Sequence, residues 1–486
     1  MNLQDILYKV NITKLVGVTD VEVSEISFDS RKIKSDSLFV AIRGAVYDGH
    51  DYIKSTIESG AVAVIVEKIP KSLNDKVTYI EVQDSHITLG VIAANFYENP
   101  SDKIKLVGVT GTNGKTTIVS LLSQLFRMLN IKIGMLSTIH NIVADEIIPS
   151  THTTPDALQI NFLLNEMIKE GCEYCFMEVS SHAIAQGRIS GLNFSGGIFT
   201  NLTQDHLDYH NTFAEYRDMK KLFFDTLPET AFALTNKDDK NGIKMLEGTN
   251  AKKYSYSLKS VSDYKCRVLE NQFEGMLLNI NKIDVWVKLI GDFNAYNMLS
   301  VYAVTNLMGF EDNQVLTAMS MLTAVDGRFQ YLQSVEKIIA IVDYAHTDDA
   351  LKNVISSINN IRTNTEELIT VIGCGGDRDK TKRPLMASVA CNLSNQVILT
   401  SDNPRSENPD TIIEDMMRNL DPVQIKKVLV ITDRRQAIRT ACRLANVNDI
   451  VLVAGKGHEK YQEINGEKFP FDDLEELKKS LNILKN

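Results

Sequence analysis

The 486-residue chain reads as an α/β protein of three domains. The central domain is predicted to hold a phosphate-loop, ATPase-like parallel sheet, and the C-terminal one a Rossmann-like doubly wound sheet. Three observations predict this class. Residues 106–117, LVGVTGTNGKTT, pass from an apolar strand through a glycine-rich turn into a helix. From residue 328 onward, apolar runs alternate with helical segments, and each run ends in a charged or glycine-rich cluster. That βαβ alternation implies a parallel sheet. The length, at roughly 150 residues per domain, suggests about three domains. The expected boundaries are 1–100, 101–327 and 328–486.

Composition narrows the function. Apolar residues make up 44% and charged residues 23%, ordinary values for a globular chain. A net charge of −10 argues against a protein that coats nucleic acid or an anionic membrane, while leaving room for a local basic pocket. The first residues, MNLQDILYKVNITKL, lack the apolar stretch of a secretory signal. No apolar run reaches the roughly 18 residues of a spanning helix. Six cysteines are too few for a disulfide scaffold, so a cytoplasmic location with reduced thiols is expected. Cys172 and Cys175 sit at the start of an apolar strand and read as core thiols rather than a metal pair.

In the first domain, SLFVAIRG and AVAVIVEK read as strands around a short helix, YIKSTIESGA, closing on Gly60. Asp29-Ser30-Arg31-Lys32 forms a polar turn. Serine beside arginine suits an anionic or uracil-bearing ligand, and a plain surface turn explains it equally well. Residues 99–101 read as a linker.

The second domain opens on the phosphate loop. Gly111 and Gly114 allow backbone to approach a ligand. Lys115 supplies charge, Thr116 a hydroxyl for a metal ion, and the helix starting at Lys115 its free N–H groups. A nucleoside triphosphate is the predicted ligand. The general pattern G-x-x-x-x-G-K-[ST] wants glycine at 109, where this chain has Val109. An ordinary βα turn would explain the glycines but not Lys115-Thr116-Thr117. Further on, CFMEVSSHAIAQGRISG and GGIFTNLTQDHLDYH are apolar strands running into polar clusters. Ligands of open α/β sheets bind beyond the carboxyl ends of strands, which places Glu178, Ser180, His182 and His206 there. Thr116, Glu178 and His206 are candidate ligands for a phosphate-bridging metal ion. A zinc site at His206 and His210 lacks a clear third ligand. A helix over 156–170, strands through 251–291 and a long helix from GDFNAYNM complete the domain.

In the third domain, KIIAIVDYAHTDD, LITVIGCGGDRDK, QVILTSDNPRSEN, KVLVITDRR and IVLVAGKGHEK are the predicted strands with their polar ends. Arg378, Asp402, Asn403, Arg405 and Glu459 fall at those ends. Arginine for a carboxylate and aspartate for an ammonium would hold a small zwitterion.

Taken together, TGTNGKTT, EVSSHA, TNLTQDHLDYH, GDFNAYN, DYAHT, GCGGDRDKTKRPLM, DNPRSENP and GKGHE resemble the Mur ligases, in particular their tripeptide-forming branch. The resemblance runs from about Ser30 to Glu459. GTNGKTT alone would also fit folylpolyglutamate synthetase; the later motifs are more specific. The resemblance implies three domains and a set of roles. Ser30 would contact the UDP-sugar. Thr153, Thr154, Ser180, Gln186 and Arg188 would hold a UDP-MurNAc-dipeptide. Gly111, Thr112, Asn113, Gly114, Lys115, Thr116 and Thr117 would hold the ATP phosphates, with Asn294, Asn297, Arg328 and His346 lining the nucleotide site. Thr116, Glu178 and His206 would bind Mg2+. Lys220, by its own context an ordinary solvated helix lysine, would carry a carbamate and join the metal ligands. Lys115, Lys220, His206 and Arg328 form the implied catalytic set. Arg378, Asp402, Asn403, Pro404, Arg405, Gly455 and Glu459 would bind the incoming amino acid. Asp348 departs from the family, which commonly has proline there.

The implied activity is ATP-dependent addition of a diamino acid to the dipeptide precursor through an acyl phosphate, by an enzyme expected to be monomeric. Arg405 favours meso-diaminopimelate, whose far carboxylate it could pair, over lysine; lanthionine shares that carboxylate. Folylpolyglutamate synthesis and a non-catalytic nucleotide switch are the alternatives.

Overall fold

A computed structural model describes residues 1–44, 47–205, 209–210, 212–363 and 365–482. The N-terminal sheet has five strands. Ala61–Val66 lies between Ser37–Val40 and Thr78–Val82 in parallel, and Ile12–Val16 closes one edge antiparallel. The helix predicted to close on Gly60 spans Ile53–Glu58, and Gly60 takes φ +114°. Alternate residues Leu38, Val40, Ala63, Ile65 and Ile80 bury one face against Leu89 and Ile92 of helix Ser85–Phe96.

The middle sheet has eleven strands. Its parallel centre runs Ile133–Leu136, Tyr174–Glu178, Lys105–Thr110, Gly196–Phe199, Phe232–Asn236, Lys252–Ser257. The register sets Glu178 beside Val109 and Phe199 beside Thr110, so the strand ends are level with the phosphate loop. The strands are apolar on both faces because helices cover both. Two mid-strand glycines matter here. A Cβ on Gly108 would lie 2.6 Å from the Phe223 ring, and one on Gly197 2.9 Å from it. Their absence lets helix Phe213–Asp225, which carries Lys220, seat closely on the sheet. Helices Lys115–Met128 and Asp292–Leu307 pack on the opposite face. Antiparallel strands extend both edges: His140–Val143 and Glu146–Pro149 on one side, Gly275–Ile280 and Ile283–Val287 on the other.

The C-terminal sheet has six strands. All five runs predicted there are strands, Ile339–Asp343, Leu368–Ile372, Gln396–Leu399, Val428–Val430 and Ile450–Ala454, and they are parallel. The sheet is not wholly parallel, however. Gln330–Gln333 folds back antiparallel on Ile339–Asp343, directly after Gly327 (φ +65°) turns the chain. A hairpin, Tyr461–Ile464 and Glu467–Pro470, stands apart from the sheet. Cys172 and Cys175 are buried and free, as expected of core thiols. No helix among the described residues is long and apolar enough to cross a membrane.

Candidate functional site

The carboxyl ends of the middle and C-terminal sheets meet across a cleft of about 1020 Å³ lined by both domains. The phosphate loop forms one side. Gly111 (φ +148°) and Gly114 (φ +91°) hold backbone conformations that a side chain disfavours. A Cβ on Gly111 would lie 1.9 Å from Thr200 Oγ1, and one on Gly114 2.8 Å from Asn297 Oδ1. Thr200 Oγ1 also donates to Asn113 O at 2.6 Å, so the neighbouring strand end shapes the loop.

Cations converge on this loop. Lys115 Nζ donates to Gly111 O at 2.9 Å and to Thr112 O at 2.8 Å. Lys220 Nζ donates to the same Gly111 carbonyl at 2.9 Å. Its side chain is only 1% exposed, so the solvated position expected of a helix lysine is not what the fold provides. Burial lowers the pKa of Lys115 against the pull of Glu178. Burial, and then Lys115, carries Lys220 well below the ordinary lysine value. Arg328 Nη2 donates to Thr116 Oγ1 at 3.1 Å, and its guanidinium lies 4.5 Å from the Tyr344 ring centre. The buried Nε of Arg328 has no hydrogen-bond partner among the described residues.

Glu178 is buried opposite. Its Oε2 accepts from Thr116 Oγ1 at 2.9 Å and its Oε1 from Thr138 N at 2.7 Å. A buried lysine (Lys220), a half-buried one (Lys115), an arginine with an unmet N–H and a helix N-terminus suit a polyphosphate. The Glu178 carboxylate and the Thr116 hydroxyl add the hard oxygen donors that magnesium takes. His206 lies outside the described residues. Those described contain no cluster of three or more His, Cys, Asp or Glu side chains arranged for a metal.

The wall beside Glu178 is one bonded unit. Thr154 Oγ1 donates to Glu178 O at 2.7 Å, and Arg188 Nη1 donates to Thr154 O at 2.7 Å. Arg188 Nε and Nη2 donate to Gln186 Oε1 at 3.0 and 2.7 Å. Thr153 accepts from Thr138 Oγ1 at 3.1 Å, and Ser180 caps helix Ser181–Ala185. Thr153, Thr154, Ser180 and Arg188 line the cleft, with Gln186 behind Arg188.

Arg378, Asp402, Asn403, Arg405, Gly455 and Glu459 line the C-terminal wall. Asn403 Nδ2 donates to Glu459 Oε2 at 2.7 Å. Arg405 Nη1 donates to Gly376 O at 2.8 Å, and its Nε lies 3.5 Å from Glu463 Oε2 on the hairpin. Pro404 backs onto Gly376, where a Cβ would lie 1.9 Å from the Pro404 carbonyl oxygen. Gly455 (φ +113°) faces Asp402, whose Oδ2 would lie 2.7 Å from an added Cβ. His346 also lines the cleft and is held neutral, by burial first and then by Lys382.

Four predicted residues support the site from beneath or beside it: Gly111, Thr117, Asn294 and Asn297. Asn297 Nδ2 donates to Asn294 Oδ1 at 2.9 Å and Asn294 Nδ2 to Ile290 O at 2.8 Å, bracing the helix under Gly114. Ser30 opens a 3-10 turn, Ser30–Lys32, on the N-terminal domain, outside this cleft. Asp348 begins helix Asp348–Ile361, so its departure from proline leaves that helix start intact. Sequence reasoning missed Thr138, Tyr344, Lys456 and Glu463. Lys456, inside GKGHE, and Tyr344, inside DYAHT, carried a motif signal; Thr138 and Glu463 depend on which loops the fold brings together.

Comparison with known proteins agrees with this arrangement. Three family descriptions match in order: "Mur ligase family, catalytic domain" over residues 22–97, "Mur ligase middle domain" over 109–305 and "Mur ligase, glutamate ligase domain" over 327–457. A protein of Cytophaga hutchinsonii named UDP-N-acetylmuramoyl-L-alanyl-D-glutamate--2,6-diaminopimelate ligase is 52% identical over 485 residues, covering 100% of both chains. A Bacteroides fragilis protein of the same name is 52% identical, covering 99% of this chain and 100% of its own. A solved structure of a ligase with that name superposes with a TM-score of 0.71 at 31% identity, covering 99% of each chain. Since the matched descriptions follow the three sheets from end to end and full-length relatives share half of its residues, the chain belongs to the Mur ligase family.

Proposed function

We propose that this chain is an ATP-dependent ligase that joins meso-2,6-diaminopimelate to UDP-N-acetylmuramoyl-L-alanyl-D-glutamate. The observation that carries the proposal is the shared cleft. It sets the polyphosphate cradle of Lys115, Lys220 and Arg328 opposite the zwitterion-suited wall of Asn403, Arg405 and Glu459. The names of the full-length relatives support the same reading.

In this reaction the glutamyl carboxylate attacks the γ-phosphorus of ATP, ADP departs, and an acyl phosphate forms. The amine of the diamino acid then adds to the acyl carbon, loses a proton, and expels inorganic phosphate. Lys115 and Arg328 balance charge on the transferring phosphoryl group. Thr154, Ser180 and Arg188 orient the acceptor on the Glu178 side. Arg405 pairs the far carboxylate of diaminopimelate, and Glu459 takes an ammonium group. Thr116, Glu178, His206 and Lys220 as its carbamate are the residues that would hold Mg2+, which would supply positive charge against the phosphates. The low proton affinity of buried Lys220 favours the neutral amine that carbon dioxide requires.

Incubation with ATP, Mg2+ and the dipeptide precursor, with hydroxylamine in place of amino acid, is expected to trap a hydroxamate. Mass analysis of products from parallel reactions with diaminopimelate, lanthionine and lysine is expected to show turnover chiefly with diaminopimelate. Full turnover without any trappable hydroxamate would overturn the acyl-phosphate step, and equal turnover with lysine would overturn the role of Arg405.

A further inference from the structure

Lys456 is 0% exposed, and it does not line the cleft. A buried, protonated ammonium is costly unless fully partnered. Its partners are all side chains of the proposed amino-acid wall. Nζ donates to Asn403 Oδ1 at 2.8 Å and to Glu459 Oε2 at 3.1 Å, and lies 3.9 Å from Asp402 Oδ1. The Tyr461 ring centre is 5.6 Å away. Asn403 Nδ2 donates to that same Glu459 Oε2 at 2.7 Å. One oxygen of Glu459 is therefore fixed by two donors from within the protein, while Glu459 itself faces the cleft. Asn403 Oδ1 accepts both from Lys456 and from Glu463 N at 2.9 Å, which fixes its amide orientation with Nδ2 toward Glu459. Arg434, also 0% exposed, steadies the other side of Asp402 at 3.9 Å and is itself anchored on Asp473 at 2.7 Å.

From this geometry we infer that Lys456 is a positioning residue for the incoming diamino acid: it locks Asn403 and Glu459 into the pose that receives the substrate ammonium, without touching substrate itself. The inference rests on the proposed function. It concerns affinity for one of three substrates, because the lysine contacts neither the phosphate loop nor the dipeptide wall.

The test compares wild type with Lys456→Met, Lys456→Gln and Lys456→Arg, using diaminopimelate, ATP and the dipeptide precursor. Removing the ammonium leaves a charge-assisted hydrogen bond to Glu459 unmade. In Lys456→Met this is expected to raise the diaminopimelate KM about 10- to 100-fold. The ATP and precursor KM values are expected to stay within about twofold, as those substrates make no contact that depends on the wall. Lys456→Gln, which keeps a donor but no charge, is expected to fall between Met and wild type, and Lys456→Arg to recover part of the affinity. An unchanged diaminopimelate KM in Lys456→Met, or an equal rise for all three substrates, would overturn the inference. So would loss of the folded state in all three variants, judged by circular dichroism melting, because the lysine would then be structural only. Failure of wild type to join diaminopimelate would instead reject the proposed function, so the two failures remain distinct.

Discussion

Lys220 shows how far a single position can depart from its local context. Helix Phe213–Asp225 buries Tyr216, Lys220, Phe223 and Phe224, which are spaced four, three and one residues apart on one stripe. That periodicity was present in the sequence and marks Lys220 as facing inward. Its placement against Gly111 O could not be read there, because it depends on glycines 108 and 197 admitting the helix. Replacing Lys220 by Ala removes the proposed carbamate, and kcat is expected to fall about 100-fold or more, the scale of losing one group that stabilises transition-state charge. Removing dissolved carbon dioxide from wild type before assay should reproduce part of that loss, and intact mass should reveal the carboxyl increment. At the opposite wall, Arg405→Ala is expected to raise the diaminopimelate KM by about 100-fold, as a bidentate carboxylate contact is lost. Steady-state kinetics that show an unchanged KM would remove the basis for choosing diaminopimelate over lysine.

Between elements, loops are held by ion pairs rather than by sequence-local rules. Arg383, 0% exposed, donates to Glu407 Oε1 and Oε2 at 2.8 and 3.0 Å and to Asp415 at 2.9 Å. Glu407 Oε1 also accepts from Asp377 N at 2.6 Å, so one carboxylate ties the loop carrying Arg378 to the loop carrying Arg405. The Arg383 hydrogen bonds hold Glu407 down at about 2, against an ordinary 4.5. A depressed carboxylate stabilises the fold fully above its unfolded value, and that contribution is lost as pH falls from about 4.5 toward 2. Glu407→Gln is therefore expected to lower the unfolding free energy from urea titration at pH 7 by about 1.5–3 kcal/mol, the scale of a bond between charged groups. The gap to wild type should close as pH approaches 2–3. A gap that does not change with pH would reject the ion-pair account. The strands that position these loops were legible as apolar runs. The pairing of one loop with another was not, since Arg383, Glu407 and Asp415 are joined only by the sheet order. The antiparallel strand Gln330–Gln333 was equally hidden, because its pattern is short and its partner is decided by the Gly327 turn. In the phosphate loop, Gly111→Ala is expected to cut kcat/KM for ATP about 100-fold, since the displaced backbone misaligns the phosphates. A variant with near-normal ATP kinetics would show that Thr200 can yield.

Across the whole molecule, the two domain junctions both carry apolar packing but differ in what else holds them. The middle and C-terminal domains share an apolar seam, in which Phe273 and Phe293 pack on Tyr331 and Phe329, and at the cleft they also meet through polar side chains, Arg328 on Thr116 at 3.1 Å and Asn113 on Asp349 at 3.4 Å. Such contacts can break and reform, which suits closure around substrates. The N-terminal and middle domains meet backbone against backbone. A Cβ on Gly90 of helix Ser85–Phe96 would lie 2.6 Å from Ser190 O and 2.7 Å from Gly187 O. One on Gly187 would lie 2.9 Å from Ile87 Cα. Gly90→Ala is therefore expected to pry these domains apart and raise the KM for the UDP-dipeptide about tenfold, an effect of misplaced binding geometry, while leaving ATP kinetics in place. A matched rise for ATP would mean that the middle domain itself had been disturbed.

That glycine contact has a consequence for what the enzyme will accept. It fixes the span from the 3-10 turn at Ser30 to the cleft at Glu178, and the residue directly after Gly187 is Arg188, which lines that cleft. A rigid span works as a gauge. Were the uridine end held at Ser30, as the family resemblance implies, only an acceptor of the right reach would bring its terminal carboxylate to the other mark. A precursor one residue shorter would then stop before the phosphoryl group, and one residue longer would overshoot it. Stem length would then be measured by the frame rather than recognised residue by residue.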